Sequence, residues 1–598
     1  MRGPAGARPI IIGMSWIDPT RTLRPALAVL VLSVVVLGAP APAQTNGEGG
    51  ARDRQESGQL VDGTFVDVVE VKVVNVDVYV RDKDGNPVTG LTADDFEIFE
   101  DKRPMPITNF YEVVDGRRTD AEIDTRTQLE KIKADPSYDP RLDGDPADQR
   151  LYLVVYVDHF NIRPHHRNRV FRHVRDFLRD HVDRNDRVML VSYNRSIKIE
   201  RELTGDPQVV SAALFELEKH TGGRTQADSD RIDVLRDLQS ERNDVGLIRA
   251  RVKMYAENQY NDLQFTLDAM RDFVASLGGI PGRKAILYVS DGLPLRAGDD
   301  LFQAATERFP EELSSLRMES MQYDASRRFT DIARLASTHR VAFYTLDASG
   351  LMGRSDRGAD VGSIQQSPLV NSTWAANMQA PLMLLADETG GQYLVNSQNF
   401  GDALDRFATD FDHYYSLGYS PGHAGSGRLY DIEVRLKNRK ELRVAGLRYR
   451  NNYRDLPIEK EMSDGTLASL QFGFEQNDLD ASLVERELIP REDGTYMMHL
   501  DVRVPLGELT LLPRSDHYVG RFRVWVQARD ARGNLSEVGV QIADVRVEKA
   551  DYEKAMSMHY AYGLTLQVAG GEQRIAIGLR DDFGGRRTFL NRPYRIGS

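Results

Sequence analysis

The sequence has no cysteine among its 598 residues. That excludes a disulfide scaffold, cysteine zinc sites, a thiol nucleophile and a lipidated cysteine anchor. Long apolar runs are also missing, with one exception near the start, so a multipass membrane protein is excluded. Basic residues fall short of acidic ones, 77 against 90, for a formal charge of −13. Non-specific binding to nucleic acid is not expected of such a chain. No G-x-S-x-G, P-loop or G-x-G-x-x-G stands in the strand–turn–helix setting that gives those motifs their chemistry. Gly278-Gly279-Ile280-Pro281-Gly282 precedes a strand, whereas a phosphate loop would have to follow one. What remains is a chain 41% hydrophobic and 28% charged, able to bury cores and long enough for roughly three or four domains.

The one apolar run is Ala26–Gly38, behind Arg21 and Arg24 and ahead of Ala39-Pro40-Ala41-Pro42-Ala43. A short apolar core between positive charge and an A-x-A site is the pattern of a secretory signal, here residues 1–43. It is shorter than the roughly 20 residues that span a bilayer. Residues before Met14 do not resemble an n-region, which points to Met14 as the start. Removing the four arginines and one aspartate of residues 1–43 raises the acidic surplus from 13 to 16. The expectation is an exported protein: periplasmic, on the cell surface or extracellular, with no integral membrane segment after cleavage. Without disulfides, its stability must come from packed cores.

Residues 44–63 have the composition of a disordered tether. Residues 64–114 hold alternating β-branched runs, then Phe96–Phe99 and Ile107–Val113, and read as a small β module. About fifty residues make a poor core alone, so this module should dock on a neighbour. Residues 115–149 read as a linker. From Arg150 the period changes. Leu151–Val157, Val188–Val191, Ala285–Val289 and Val341–Leu346 are continuous apolar runs, and helical stripes alternate with them. This is the pattern of a mostly parallel sheet covered on both faces, over 150–420. Residues 228–260 read as a helical insertion and Gly350–Thr373 as a surface loop. Leu429–Leu436 and Glu441–Tyr449 are expected to form a hairpin within a 421–455 extension. Leu456–Ser463 is read as a connector and Leu467–Glu475 as the first strand of a β-sandwich-like domain over 456–598. The turn Arg81–Asn86 matches Arg529–Asn534 residue for residue at Arg, Asp, Gly and Asn, which reads as convergent hairpin chemistry.

Three of the buried strands end at an aspartate: Asp158, Asp291 and Asp347. Ligands of open α/β sheets bind at the carboxyl ends of the strands. A single aspartate there commonly caps the next loop or helix. If the three strands are neighbours, their carboxylates converge and need a screen, for which Mg²⁺ or Ca²⁺ with oxygen ligands is suited. His159, His165, His166 and His173 lie nearby without H-E-x-x-H or a full zinc spacing, and read as neutral loop and helix-surface histidines.

These segments together resemble the von Willebrand factor A (VWA) domain family, most closely the exported bacterial subgroup called VWFA-related, common in acidobacteria. The likeness covers roughly residues 60–450. It rests on Val76–Val80 with Pro87–Leu91 and Asp95–Phe99, Val155–Asp158, Val188–Tyr193, Leu287–Gly292, Tyr344–Leu351 and Tyr414–Ser420 leading into Tyr430–Arg435. The resemblance implies a central Rossmann-like domain with the strands before Asp158, Asp291 and Asp347 side by side. It also implies a metal-ion-dependent adhesion site whose first element is D-x-S-x-S. Here that element is Asp158-His159-Phe160-Asn161-Ile162, with both hydroxyl positions lost. Thr225 matches the family's threonine element and Asp291 its final acidic one. A retained metal would sit on Asp158, Thr225 and Asp291. The expected state is a degenerate site whose residues, Asp158, Asn161, Thr225, Asp291 and Asp347, mark a partner-binding edge. Three functions follow: a non-enzymatic adhesion-type protein binding a protein or surface partner; a Mg-dependent hydrolase using Asp158, Asp291 and Asp347; or a structural component of the cell envelope.

Overall fold

The computed structural model describes residues 73–114, 116–118, 150–182, 186–220, 222, 224–240, 244–350, 366–437 and 444–597. The expected signal, the tether and nearly all of the 115–149 linker lie outside the described residues. Two compact units are present, Lys72–Asp464 and Gly465–Ser598. No helix among the described residues is long and apolar enough to cross a membrane.

The first unit holds a six-stranded sheet. Its strands are β1 (Leu151–Val157), β2 (Arg187–Tyr193), β3 (Ile197–Thr204), β4 (Arg283–Ser290), β5 (Val341–Asp347) and β6 (Tyr393–Leu394), in the spatial order β6-β5-β4-β1-β2-β3. All pairs are parallel except β2 with β3, which closes one edge as a hairpin. The connecting helices are α1 (Pro164–His181), α2 (Pro207–Leu217), α3 (Arg224–Gln239), α4 (Val245–Ser276), α5 (Asp299–Arg308), α6 (Ser326–Thr338), α7 (Pro368–Thr389) and α8 (Phe400–Asp412). On β1, Leu151, Leu153, Val155 and Val157 share one apolar cluster with α1, α2 and α8. The intervening side chains point the other way, and the ring of Tyr156 meets Phe273 of α4 at 5.6 Å. Burial on both faces is why the strand shows no alternation in sequence. The expected 228–260 insertion falls on most of α3 and the first half of α4, which continues to Ser276 through the expected Leu263–Leu277 stripe. Val234, Leu235 and Leu238 pack there against Ile248, Val252 and Phe302.

The small N-terminal β module is not closed by its own residues. Val74–Asp82 lies between Tyr414–Tyr419 and Val444–Tyr449, and Asn109–Val114 pairs with the far side of Tyr414–Tyr419. A second sheet runs Asn452–Arg454, Leu429–Leu436, Phe96–Glu100, Arg103–Met105. Both sheets contribute to one core, including Val76, Val78, Phe96, Leu417 and Val434. Boundaries at 114 and 421 therefore cut through a single body. Too few apolar residues in 64–114 to bury a core explains the pairing with strands that follow the α/β segment. Leu429–Leu436 and Val444–Tyr449 do not form the expected hairpin, since each pairs in a different sheet.

Local differences have local causes. Leu467–Glu475 is not a strand: a helix covers Ile458–Phe472, with Glu459 and Glu461 in its first turn. Of the expected Gly350–Thr373 loop, residues 351–365 lie outside the described residues, and α7 begins within its range at Pro368, where the Ser367 hydroxyl accepts from Val370 N–H at 3.1 Å. Helix α8 stops at Asp412, and Tyr414 and Tyr415 belong to the next strand.

In the second unit, one antiparallel sheet runs Gln476–Asn477, Arg587–Ile596, Gly571–Asp581, His517–Asp530, Leu512–Pro513, and Gly539–Glu548 also pairs with His517–Asp530. A three-stranded sheet of Ser482–Pro490, Thr495–Pro505 and His559–Ala569 shares its core. The two matching turns have one geometry. Asp82 Oδ1 accepts from the N–H of Asp84 and Asn86, Asp530 Oδ1 accepts from the N–H of Arg532 and Asn534, and Gly85 and Gly533 have φ of 88° and 86°. In both turns the aspartate acts as an internal cap.

At the amino end of the parallel sheet, the fully buried carboxylate of Asp410 joins the sheet to the β body. It accepts from Arg448 Nη2 at 2.7 and 2.8 Å, from Gln392 at 2.6 Å and from Arg81. Removing one member of such a group leaves buried charge unpaired. Asp410→Ala is expected to lower the stability of this unit by roughly 3–5 kcal/mol in denaturant unfolding, and Asp410→Asn by less.

Candidate functional site

The order β5-β4-β1 sets three aspartates along one sheet edge. Asp158 and Asp291 follow β1 and β4, and Asp347 is the last residue of β5. Their surroundings differ. Asp158 is fully buried, and its carboxylate is surrounded by neutral donors. Oδ1 accepts from Asn161 N–H and Nδ2 at 3.1 Å, and Oδ2 from Asn161 Nδ2 at 3.0 Å, Ser290 Oγ at 3.2 Å and Tyr288 Oη. Burial dominates these bonds and lifts its pKa from 3.8 to about 6. Asn161 thus turns its amide nitrogen to Asp158. Phe160 and Ile162 are buried. Ile162 joins the core beneath α1, and Phe160 meets Tyr193 edge-on at 6.3 Å with the Arg195 guanidinium 4.9 Å from its ring.

Asp291 Oδ2 accepts from Arg163 N–H at 3.0 Å and contacts His166 Nδ1 at 2.8 Å. Its Oδ1 is buried and accepts no hydrogen bond among the described residues. His159 and His166 are therefore not surface residues, whereas His165 is exposed at the start of α1, as expected, and His173 is half-buried. His166 is wholly buried against Asp291, and His159, 3% exposed, lies 3.1 Å from Arg167 Nη1. Asp347 accepts from Ser349 N–H at 3.0 Å and Gln379 Nε2 at 2.9 Å. Burial and then the charge of Asp291 raise its pKa.

Two guanidiniums complete the edge. Arg163 Nε donates to Asp228 Oδ2 at 2.7 Å. Arg224, only 7% exposed, places Nε 3.2 Å from Asp228 Oδ1. Burial alone would lower the pKa of Arg224. The negative charges of Asp228 and Asp291, with a smaller part from Asp158, outweigh it and raise the value. Burial likewise works against the Asp228 carboxylate, and Arg224 and Arg163 more than offset it, holding its pKa low. The loop entering α3 is pinned beside Asp158, since a Cβ on Gly222 would lie 1.8 Å from the carbonyl oxygen of His159. Thr225 falls in the first turn of α3, and its side chain is not among those described.

The family resemblance implies a divalent ion here, and the donor set does not fit one. The Asp158 oxygens face N–H and O–H donors, Phe160 and Ile162 stand where ligating hydroxyls would be, and Arg224 brings positive charge to the same edge. No group of three or more His, Asp or Glu among the described residues is placed to hold a metal. Beside the edge opens a cleft of about 330 Å³ between α3, α4 and the Asp158 loop, lined by Phe160, Asn161, Arg224, Met254, Tyr255 and Leu293.

No family model matches the sequence, and no curated protein matches it. Solved structures do show likeness. An aerotolerance-related membrane protein from Bacteroides fragilis is similar at 10% identity, over 44% of this chain and 98% of that one, with a TM-score of 0.23. A conserved hypothetical protein, BatB, from Bacteroides thetaiotaomicron is similar at 11% identity, over 44% and 96%, with a TM-score of 0.22. A von Willebrand factor type A structure from Catenulispora acidiphila is similar at 10% identity, over 75% and 65%, with a TM-score of 0.17.

Of the expected residues, the fold brings Asp158, Asn161, Asp291 and Asp347 to one edge. Sequence reading missed Arg163, His166, Arg224 and Asp228. A signal for two of them was present: Arg224 and Asp228 stand four apart at the start of a helix, the spacing of a paired Arg and Asp.

Two outcomes follow from this geometry. Gly222→Ala drives Cβ into backbone and is expected to destabilise by about 1–3 kcal/mol in thermal unfolding. Asp158 binds its proton more tightly folded than unfolded. Its contribution is therefore most favourable below pH 3.8 and is lost as pH rises through about 6. Asp158→Asn should remove that slope, roughly 3 kcal/mol over the window, in denaturant unfolding followed against pH.

Proposed function

We propose that this chain is an exported, non-enzymatic binding protein whose VWA-type, Rossmann-like domain engages a protein or surface partner at the carboxyl edge of its parallel sheet. In this reading the flanking two-sheet body positions the domain, and residues 465–598 form a β-sandwich-like module. The observation that carries the proposal is the state of the edge. Apart from Asp291 Oδ1, which accepts no hydrogen bond among the described residues, its carboxylate oxygens are met by internal donors and guanidiniums, while a cleft of about 330 Å³ opens beside them. Such an edge offers shape and side chains to a partner and leaves no set of carboxylates directed at a substrate-bound metal, which the hydrolase reading requires. Met254, 60% exposed on the cleft wall, is the kind of adaptable apolar contact that interfaces use.

Capture from cell-envelope extracts tests this. Met254→Asp should weaken recovery of the partner by roughly tenfold or more, a loss of at least about 1.4 kcal/mol. Ile542→Asp, at an exposed position of the other unit, should leave recovery unchanged. Equal recovery by all three proteins would remove the edge from consideration. Generic phosphoester substrates with Mg²⁺ should not turn over, and hydrolysis abolished by Asp291→Ala would favour the enzyme instead.

A further inference from the structure

Two carboxylates at the sheet edge, Asp158 and Asp291, and a third supplied by α3, Asp228, carry more negative charge than Arg163 alone can balance. Asp158 has only neutral donors. Asp291 has one oxygen held by Arg163 N–H and His166, and one buried oxygen without a donor among the described residues. Asp228 takes Arg163 on one oxygen. In a protein interior such a cluster needs a further cation. The chain supplies it at the first residue of α3, just ahead of the 228–260 insertion. Arg224 is buried and ion-paired to the second oxygen of Asp228, two residues after Gly222, where the chain packs closely on the His159 carbonyl. It lines the same cleft as Phe160 and Asn161, beside the Asp158 loop.

We propose that Arg224 is the resident cation of this edge, a covalently attached guanidinium in the role that a divalent ion would otherwise fill, so that the edge is assembled without metal. The proposal rests on the VWA-type reading of the edge, but its readouts are metal uptake and stability, which need no partner. It gives the start of α3 a purpose within the site: the helix begins at the residue that neutralises the edge. It also accounts for the tolerance of Phe160 and Ile162 at positions where hydroxyl ligands would be required. A guanidinium needs carboxylates and not a complete oxygen shell.

The test is calorimetric and thermal titration of the mature chain with Mg²⁺, Ca²⁺ and Mn²⁺, with and without EDTA. The wild type should take up none of them at millimolar concentration and melt at an unchanged temperature. Arg224→Lys, which keeps the charge, should behave in the same way with a modestly lower midpoint. Arg224→Ser should melt lower, and millimolar divalent ion should partly restore its midpoint while leaving the wild type unmoved. Sub-millimolar uptake by the wild type, reversed by EDTA, overturns the proposal whatever the variants do. Arg224→Ser melting like the wild type with no response to metal also overturns it. Should Arg224→Ser fail to fold, the wild type and Arg224→Lys decide between the same outcomes. Failed partner capture together with a metal-indifferent wild type would remove the proposed function and leave Arg224 in its role.

Discussion

A carboxylate taken out of water must be given donors or an opposite charge, and both ends of the parallel sheet are organised around that requirement. At the amino end, Asp410 is wholly buried and holds Arg448, Arg81 and Gln392, so that the β body is fixed to the sheet through charge as well as through apolar packing. At the carboxyl end, Asp158 and Asp291 are buried, Asp228 is partly so, and they are answered by Asn161, Tyr288, His166, Arg163 and Arg224. The protein has no cysteine with which to stabilise itself covalently. Buried polar groups of this kind add little net stability, but they penalise every alternative arrangement that leaves them unpaired.

The two ends differ in what they leave open. Around Asp410 every element is drawn together. At the other end α3 contributes two things at once, the counter-charge on Arg224 and one wall of a cleft. The long helix α4 forms another wall, with Met254 exposed and Tyr255 lining the cleft. A helix that neutralises the edge and also shapes the space beside it couples local charge balance to the surface available for recognition. This is why the binding reading and the Arg224 reading fit together without depending on the same measurement.

Much of the fold was legible because burial on two faces leaves a plain mark. Leu151–Val157 is apolar at every position, and it is a central strand. The stripes behind Pro164 and from Leu263 to Leu277 became α1 and α4 for the same reason. Strands Ser482–Pro490 and Arg587–Ile596 were illegible. The first carries Glu485-Arg486-Glu487 on an edge and the second ends in Arg592-Pro593-Tyr594-Arg595, and charged or proline-bearing edges hide alternation. The helix Ile458–Phe472 was masked by a short run, Leu467 to Phe472, that suits either a helix or a strand.

By itself the sequence determined the alternation of buried strands and helices over 150–420, the aspartates at three strand ends and the apolar side chains of Phe160 and Ile162 just after Asp158. These are properties of neighbours along the chain, and periodicity records them. Only the tertiary structure decided that residues 73–114 share a core with residues 414–454, that His166 lies buried against Asp291, and that Arg224 stands among the carboxylates. The reason is that each of these depends on segments far apart in sequence. Strand pairing and charge compensation are settled by which groups meet, and nothing in the local pattern of either partner states what it will meet.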